Sequence, residues 1–322
     1  MAVLATSCGP AVEKRGEPVR AATIIAGDLS AEFRDNSGSP DVLSGMGHLF
    51  HTKAAADFDA IDTHTTRSLA GLNFEHIISG HSDPANWFAP RKGPCTLYRG
   101  KGKDSVVLVR KVQDDPWAIE STMTYTVTAP HYIDFEFRCR ARDVERFGKR
   151  GYAALLWANY INDVEDMAMH FIGVTEPGGK DGWISADPPP THPDYIAGGT
   201  YRSLAAPALE YDADHNAKLN LWSYDYPRIT KPFYYGRAAR GMTVILMFDK
   251  LYSPEDEIRF SLFRAIGADR ALRPAWDFQY VIHPVEAGKE YGYRGRFVWK
   301  SFVSPEDCLR EYETWAKGHG DR

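Results

Sequence analysis

The chain has 322 residues, of which 43% are hydrophobic and 25% are charged, and a formal net charge of -5. These values describe a globular protein with room for a full core, in one large domain or two small ones. The acidic balance argues against a nucleic-acid partner, because phosphate binding requires a basic surface. No apolar run reaches the ~18 residues that a membrane span needs, so we expect a soluble protein without a membrane partner.

The first 20 residues contain Gly, Pro and charged residues without periodicity. They predict a flexible N-terminal arm ahead of a single domain over residues 21–322. The start, MAVLATSCG, lacks the basic segment of a secretory signal. A trimmed signal remains an alternative, so the compartment stays open between cytoplasmic and exported. The cysteines show neither metal-site spacing nor a disulfide framework, so stability is expected to come from the core.

Short β-patterned runs bounded by Gly, Pro, Asn and Asp dominate the rest of the chain. In the clearest run, Tyr132–Arg142, apolar and charged residues alternate, which predicts one buried face and one wet face. Further strands are predicted at Ser105–Val112, Ser121–Ala129, Tyr152–Ile161, Met167–Val174, Leu219–Tyr226, Thr243–Asp249, Glu257–Phe263, Trp276–His283 and Arg294–Phe302. About ten to fourteen strands predict an all-β fold, a large antiparallel sandwich of supersandwich or jelly-roll type.

One helix is predicted over residues 304–317. Ser304 can cap it, Pro305 suits its first turn, and Gly318 ends it. Leu309, Tyr312 and either Trp315 or Ala316 form its apolar stripe, so we expect it to pack on the sandwich.

The segment Tyr211–Tyr235 contains about twice as many aromatic residues as the 13% average of the whole chain predicts. Alternation in its predicted strand directs the Leu side chains to the core and the rings to the other face. Rings with polar tips suit a sugar, whose C–H faces pack on aromatic side chains while its hydroxyls form hydrogen bonds. The predicted ligand-binding residues are Asn220, Trp222, Tyr224, Tyr226, Lys231 and Tyr234. A Tyr-rich core edge explains the same pattern without a ligand.

The catalytic candidates flank this strand, and they are His215, Asp212, Asp214 and Arg228. In a lyase, His215 or a tyrosine would remove a proton next to a carboxylate while Arg228, Lys231 or a cation stabilises the enolate. In a hydrolase, Asp212 or Asp214 would work with Asp225 as acid and base. The oxygen-rich loop is also compatible with a divalent cation, although metal ligands stay unassigned. A solvated turn accounts for the same residues.

Asn73, Glu75 and His76 are polar residues inside an otherwise apolar run. In a regular strand, His76 lies on the face opposite to the other two, so the three share a ligand only if the strand is bulged or ends there. The pattern therefore favours a structural histidine at His76 over a catalytic one.

Several segments resemble an uncharacterised family of bacterial β-rich proteins: GLNFEHIISG at 71–80, PHYIDFEFRCRARD at 130–143, LNLWSYDYPRITKPFYYG at 219–236, DEIRFSLF at 256–263 and RPAWDFQYVI at 273–282. This resemblance implies a β-rich architecture and no activity. More loosely, the long all-β pattern with an aromatic face is similar to the galactose-mutarotase-like supersandwich and to β-sandwich polysaccharide lyases and hydrolases. That likeness concerns architecture, which does not fix function.

The sequence thus leads to the hypothesis of a carbohydrate-active enzyme that acts on a sugar or oligosaccharide by lyase, hydrolase or epimerase chemistry. Two alternatives stay open. The same rings could serve a non-catalytic carbohydrate-binding module, or they could form the interface of a structural homo-oligomer, where Tyr, Trp and Arg are enriched.

Overall fold

The computed structural model describes residues 16–38, 42–61, 69–83, 86–187, 197–206, 208–215, 225–266 and 272–319. Within these ranges the chain forms antiparallel sheets of ten, five and three strands. The predicted all-β sandwich with a C-terminal helix is confirmed.

The sheets are described by their strands in spatial order. The ten-stranded sheet contains β1 (Pro18–Val19), β6 (Thr96–Arg99), β7 (Ser105–Arg110), β8 (Ile119–Thr128), β9 (Tyr132–Ala141), β18 (Glu290–Ser301), β15 (Met242–Lys250), β14 (Arg228–Ala238), β11 (Met169–Val174) and β12 (Gly182–Ala186). The five-stranded sheet contains β13 (Ala197–Tyr201), β16 (Glu257–Ile266), β17 (Leu272–Ile282), β10 (Ala153–Ala158) and β5 (Asn73–Ile78). The three-stranded sheet contains β2 (Ala21–Ala26), β3 (Leu29–Arg34) and β4 (Gly45–His51). The helices are α1 (Ala89–Lys92) and α2 (Pro305–Lys317), and 3-10 turns occur at Val112–Asp114 and Val144–Arg150.

The inner faces of the two larger sheets meet in an aromatic core. Trp157 of β10 lies at its centre, with ring centroids 5.3 Å from Phe278, 4.7 Å from Phe137 and 5.1 Å from Tyr293. The predicted alternation of β9 is confirmed, because Ile133, Phe135, Phe137 and Cys139 are all buried. Burial of these rings from two facing sheets contributes to the hydrophobic stabilisation of the fold.

The predicted C-terminal helix is confirmed as α2. The Oγ of Ser304 accepts a hydrogen bond from the backbone N–H of Asp307 and caps the first turn. Cys308 and Trp315 are buried against the ten-stranded sheet, and Tyr312 stacks on Phe233 at 4.8 Å. Neither α1 nor α2, the helices found in the described ranges, is long and apolar enough to cross a membrane.

Two predicted boundaries differ from the structure. The arm predicted over residues 1–20 already contains β1, which pairs with β6 through Pro18 and Val19, whereas residues 1–15 lie outside the described residues. The strand predicted at residues 219–226 lies mostly outside them, and its described end at Asp225–Tyr226 is not a strand. The strand in this region is β14, which begins at Arg228, directly after Pro227.

Gly236 of β14 gives a direct test of how closely the sheets pack. A Cβ at this position would lie 2.5 Å from ring atoms of Trp276, which is fully buried and cannot move aside. We expect Gly236→Ala to lower the free energy of unfolding by about 1–3 kcal/mol. Gly182→Ala is the matched control, because a Cβ at Gly182 meets nothing within 4 Å, and it should change stability by less than about 0.5 kcal/mol. Urea denaturation measures both, and equal effects would contradict the packing described.

Candidate functional site

The outer face of the five-stranded sheet, which points away from the aromatic core, carries an unusual set of buried polar side chains. Strand register places Arg259, Gln279, Leu156 and His76 side by side across β16, β17, β10 and β5. In the neighbouring row, Ser261 lies opposite Asp277. All the polar members of these rows are buried. Buried polar groups oppose folding unless they are hydrogen-bonded, so this outer face, the polar face, is a candidate functional site.

A β-bulge explains why Glu75 and His76 both belong to the polar face. His76 pairs with Leu156 and Phe74 pairs with Trp157, so Glu75 is an extra residue between them. The extra residue breaks the alternation that would separate neighbours onto opposite faces. The sequence had predicted separate faces in the absence of a bulge, and the bulge brings these two side chains together.

Two donors converge on the Glu75 carboxylate. Nη1 of Arg91, in α1, donates to Oε1 at 2.5 Å, and Oη of Tyr160 donates to the same oxygen at 2.8 Å. Burial raises the pKa of Tyr160 well above its ordinary value, so this phenol keeps its proton and stays a donor. Glu75 is therefore held in one orientation by a cation and a hydroxyl.

Asp277 is the second carboxyl group of the polar face, and its surroundings are different. Its Oδ1 accepts a hydrogen bond from the backbone N–H of Asn159 at 2.7 Å. Burial first, and then the negative charge of Glu75, raise the pKa of Asp277 well above its usual range. Asp277 therefore holds its proton more tightly than an ordinary aspartic acid, whereas Glu75 is paired with an arginine. Two carboxyl groups whose surroundings differ in this way can divide the roles of acid and base.

His76 completes this group without a hydrogen bond of its own. In the part of the chain that the structure describes, neither ring nitrogen has a hydrogen-bond partner, and Nδ1 lies 3.8 Å from Oε2 of Glu75. The ring packs against Phe88 with centroids 5.6 Å apart. Burial lowers the pKa of His76 to about 4, so the imidazole is neutral at physiological pH. A buried polar side chain that lacks partners is a group that a ligand can satisfy.

A charged network continues along β16 at the other side of the polar face. Nε of Arg259 donates to Oε2 of Glu257 at 2.8 Å, and Oε1 of Glu257 accepts from the backbone N–H of Ser203. Nη2 of Arg202 donates to Oδ1 of Asp225 at 2.8 Å. The polar face thus extends from α1 to the chain segment that precedes β14.

The predicted catalytic residues His215, Asp212 and Asp214 lie at the β5 end of the polar face. His215 is buried and its ring stacks on Trp87 with centroids 5.5 Å apart. Oδ1 of Asp212 accepts from Arg150 at 2.9 Å, and this bond lowers the pKa of Asp212. The side chain of Asp214 is exposed. The bond to Arg150 gives Asp212 a structural role in its loop, whereas the ring of His215 packs against Trp87.

Arg228 and Tyr226, also predicted from the sequence, lie at the β16 end. Nη1 of Arg228 donates to the backbone carbonyl oxygens of Ser203 and Ala206 at 3.3 and 2.9 Å. Its guanidinium lies over the ring of Tyr226 at 5.7 Å. Burial and the nearby charge of Arg202 lower the pKa of Arg228. The structure therefore places the two described ends of the aromatic segment at opposite ends of one face.

Lys231 and Tyr234 are not brought to this face. Nζ of Lys231 lies 3.9 Å from Glu313 of α2, on the helix-covered side of the ten-stranded sheet. Tyr234 is fully buried in the core, where its hydroxyl donates to the carbonyl oxygen of Trp276 at 2.6 Å. The alternation of β14 sends one residue outward and the other inward, so neither can meet a ligand of the polar face. The remaining predicted ligand contacts, Asn220, Trp222 and Tyr224, lie outside the described residues and stay predictions.

The sequence reasoning missed Asp277, Tyr160 and Arg91. The sequence of β17 does contain a pattern that could have identified Asp277. Polar residues at 273, 277 and 279 alternate with the aromatic residues at 276, 278 and 280, although the structure buries both faces of the strand. The contacts of Arg91 and Tyr160 with Glu75 link residues far apart in sequence and leave no local pattern. Within the described ranges, the side chains that lie close enough together to share a metal ion are Asp28, His51 and His131. They are not part of the Asp212–His215 loop, for which the sequence had suggested a cation.

The neutral His76 makes a prediction about acid stability. Its pKa of about 4 lies below the ordinary value of 6.5, so the unfolded chain binds the extra proton between these values. The stabilisation is present above about pH 6.5 and is lost as pH falls toward 4, by about 3 kcal/mol. We expect His76→Leu to lose less stability over this interval than the wild type in urea denaturation.

His48 provides the control of opposite sign. The hydrogen bond to Asp59 raises the pKa of His48, so its stabilisation is present at low pH and is lost as pH rises. His48→Leu should leave the acid loss of stability in place. Equal pH profiles for His76→Leu and the wild type would contradict a buried neutral imidazole.

Comparisons with known proteins give a structural likeness only. No family model and no curated protein sequence matches the chain. Among solved structures, it is similar to a GalM/aldose epimerase homologue from C. elegans, with 12% identity, a TM-score of 0.44, 89% of this chain covered and 100% of that one. It is similar to the heparan sulfate lyase HepC from Pedobacter heparinus, with 7% identity, a TM-score of 0.45 and 86% of this chain covered. Heparinase III gives 8% identity, a TM-score of 0.43 and 85% coverage of this chain. The chain spans 34% of the length of each of the last two proteins.

Proposed function

We propose that the protein is an enzyme that acts on a sugar or oligosaccharide by acid–base chemistry at the polar face. The observation that carries the proposal is the pair Asp277 and Glu75, two buried carboxyl groups on one sheet face with opposite surroundings. Asp277 is assigned as the general acid because it holds its proton. Glu75 is assigned as the general base, or as the carboxylate that stabilises positive charge, because Arg91 and Tyr160 hold it in place.

The chemistry of the polar face fits a polyhydroxylated substrate. His76 offers a ring nitrogen as donor or acceptor, and Thr200 and Ser261 offer hydroxyls that now bond each other at 3.1 Å. The ring of Trp87, packed near Ile78, supplies an apolar wall at one end. Sugars are recognised by this combination of directed polar groups and aromatic rings.

The same pair serves each of the three reaction types that the sequence suggested. A hydrolase needs an acid that protonates the glycosidic oxygen and a carboxylate that activates a water or attacks the anomeric carbon. An epimerase that opens the sugar ring needs an acid at the ring oxygen and a base at the anomeric hydroxyl. Asp277 is assigned the first role in each case and Glu75 the second. A lyase also needs a base at carbon, for which His76 is the neutral candidate. His215 is retained as a proposed contact at the Trp87 end, and Arg228 as a residue that positions the chain before β14.

The experiment is a thermal-shift screen of the full chain against neutral and acidic oligosaccharides, with and without Ca²⁺ or Zn²⁺. Each oligosaccharide that raises the melting temperature is then incubated with the protein. A lyase yields an unsaturated product that absorbs ultraviolet light, a hydrolase yields new reducing ends, and an epimerase changes optical rotation at constant mass. Stabilisation without conversion, unchanged in Asp277→Asn, would favour the binding-module alternative. No stabilisation by any saccharide would overturn the proposal.

A further inference from the structure

A second group of reactive side chains lies away from the polar face, where the three-stranded sheet meets the ten-stranded sheet. Asp28 is at the turn between β2 and β3, His51 ends β4, and His131 immediately precedes β9. One ligand atom from each lies within 4.8 Å of the other two. The backbone N–H of Asp28 donates to the carbonyl oxygen of Pro130 at 2.6 Å, which fixes the turn beside His131.

The protonation states of two of these groups suit metal ligation. Burial, above all, lowers the pKa of the His51 imidazole, so it is neutral at physiological pH. The hydrogen bond from Lys53 is the main cause of the lowered pKa of Asp28, which is therefore a carboxylate. Metal ions bind neutral imidazole and ionised carboxylate, so binding releases no net proton from either group.

The surroundings of His131 match those of a metal-bound histidine. Its Nε2 is buried, has no hydrogen-bond partner in the described structure, and lies 3.7 Å from Oε1 of Glu311. Histidines that bind a metal through one nitrogen commonly present the other to a carboxylate, which orients the ring. With Nε2 facing Glu311, Nδ1 is the nitrogen left for a metal.

From this geometry we propose that Asp28, His51 and His131 bind one divalent transition-metal ion of the Zn²⁺ class. Two imidazoles and one carboxylate are a ligand set for Zn²⁺ and its neighbours, whereas Ca²⁺ and Mg²⁺ require oxygen ligands. Bonds to Zn²⁺ place neighbouring ligand atoms about 3.3 Å apart, so the side chains must close by small rotations. The ion would join three chain segments and thereby tie the small sheet to the large one. This site is independent of the proposed sugar chemistry.

Two existing contacts compete with the metal. Nζ of Lys53 lies 2.6 Å from Oδ1 of Asp28, and the backbone N–H of Ala54 donates to Nδ1 of His51 at 3.1 Å. Metal binding through Nε2 of His51 moves the ring proton to Nδ1, so it must break the second contact. Lys53 is exposed and leaves readily, but its charge weakens binding. Lys53→Met should therefore bind the metal several-fold more tightly than the wild type.

The test uses the full chain without an affinity tag, treated with a chelator and titrated with Zn²⁺ and Co²⁺ by calorimetry at neutral pH. The wild type should bind one equivalent, the melting temperature should rise, and Co²⁺ should give the visible absorption of nitrogen ligation. The double variant His51→Gln/His131→Gln should lose at least about a hundredfold in affinity. His48→Gln, which removes another histidine of β4, is the matched control and should bind as the wild type does.

A wild type that binds neither metal, or a double variant that binds as tightly as the wild type, would overturn the site. If the double variant does not fold, Asp28→Asn decides. It should weaken Zn²⁺ binding at least about tenfold relative to the wild type, and unchanged binding would count against the proposal. The sugar screen has no bearing on either outcome, so the two proposals can fail separately.

Discussion

Replacing Asp277 with Asn is expected to lower kcat on the saccharide found in the screen by about 10²–10⁴-fold, the usual contribution of a general acid. Asn keeps the oxygen that accepts the backbone N–H of Asn159 but cannot supply a proton. Binding should persist, because the size and polarity of the side chain are preserved. The measurement is kcat and KM from initial rates over a range of saccharide concentrations, together with the thermal shift at a saturating concentration.

The control for this variant is Asp249→Asn, which changes a carboxylate of the ten-stranded sheet that is paired with Arg294. It should retain the kcat of the wild type. Loss of saccharide binding together with activity in Asp277→Asn would indicate a binding role instead of acid catalysis. Full activity in Asp277→Asn would remove the assignment of this residue.

The raised pKa of Asp277 also makes the variant informative about stability. Because the folded-state pKa lies above the unfolded value, the folded chain binds more protons between the two, and stability falls as pH rises through this interval. Below the unfolded pKa the effect is absent. Asp277→Asn has no such titration, so its free energy of unfolding should exceed that of the wild type increasingly as pH rises. Loss of activity with gain of stability is the signature of a strained functional group.

The parts of the fold that follow local patterns were accessible from the sequence. The alternation of β9 identified its buried face residue by residue, and Ser304, Pro305 and Gly318 marked the ends of α2. Strand alternation and helix caps depend on residues that are close in sequence, so they can be recognised before the pairing of the strands is known. The three-stranded sheet was missed because its short strands were not distinguished from the loops around them.

The site was less accessible because it depends on register and on long-range contacts. The bulge that turns Glu75 and His76 to one face appears only when β5 is paired with β10. The pKa of Asp277 is raised by burial and by Glu75, which lies on another strand and far away in sequence. The aromatic segment drew attention because it is enriched in composition, yet the sheet sends Tyr234 into the core. The described ends of the aromatic segment thus lie at the two borders of the polar face, whereas strand pairing determines which residues form its centre.

Trp157→Ala should be among the most destabilising single substitutions in the chain. The indole is fully buried and stacks on Phe74 at 4.7 Å and on Phe278 at 5.3 Å, with Phe137 and Tyr293 at its edges. Truncation leaves a cavity between two sheets whose strands are held by hydrogen bonds and cannot collapse into it. We expect the free energy of unfolding to fall by about 3–5 kcal/mol, measured by urea denaturation.

Trp183→Ala is the matched control, because Trp183 lies on the edge strand β12 and keeps 37% of its surface exposed. It should cost less than about 1 kcal/mol, since little apolar surface returns to water. Phe278→Leu, at a ring that stacks directly on Trp157, should couple with Trp157→Ala in a double-mutant cycle, whereas the Trp183 variant should be additive with both. If Trp157→Ala and Trp183→Ala proved equally costly, the aromatic centre would not hold the two larger sheets together, and the polar face would lose the rigid support on which its geometry depends.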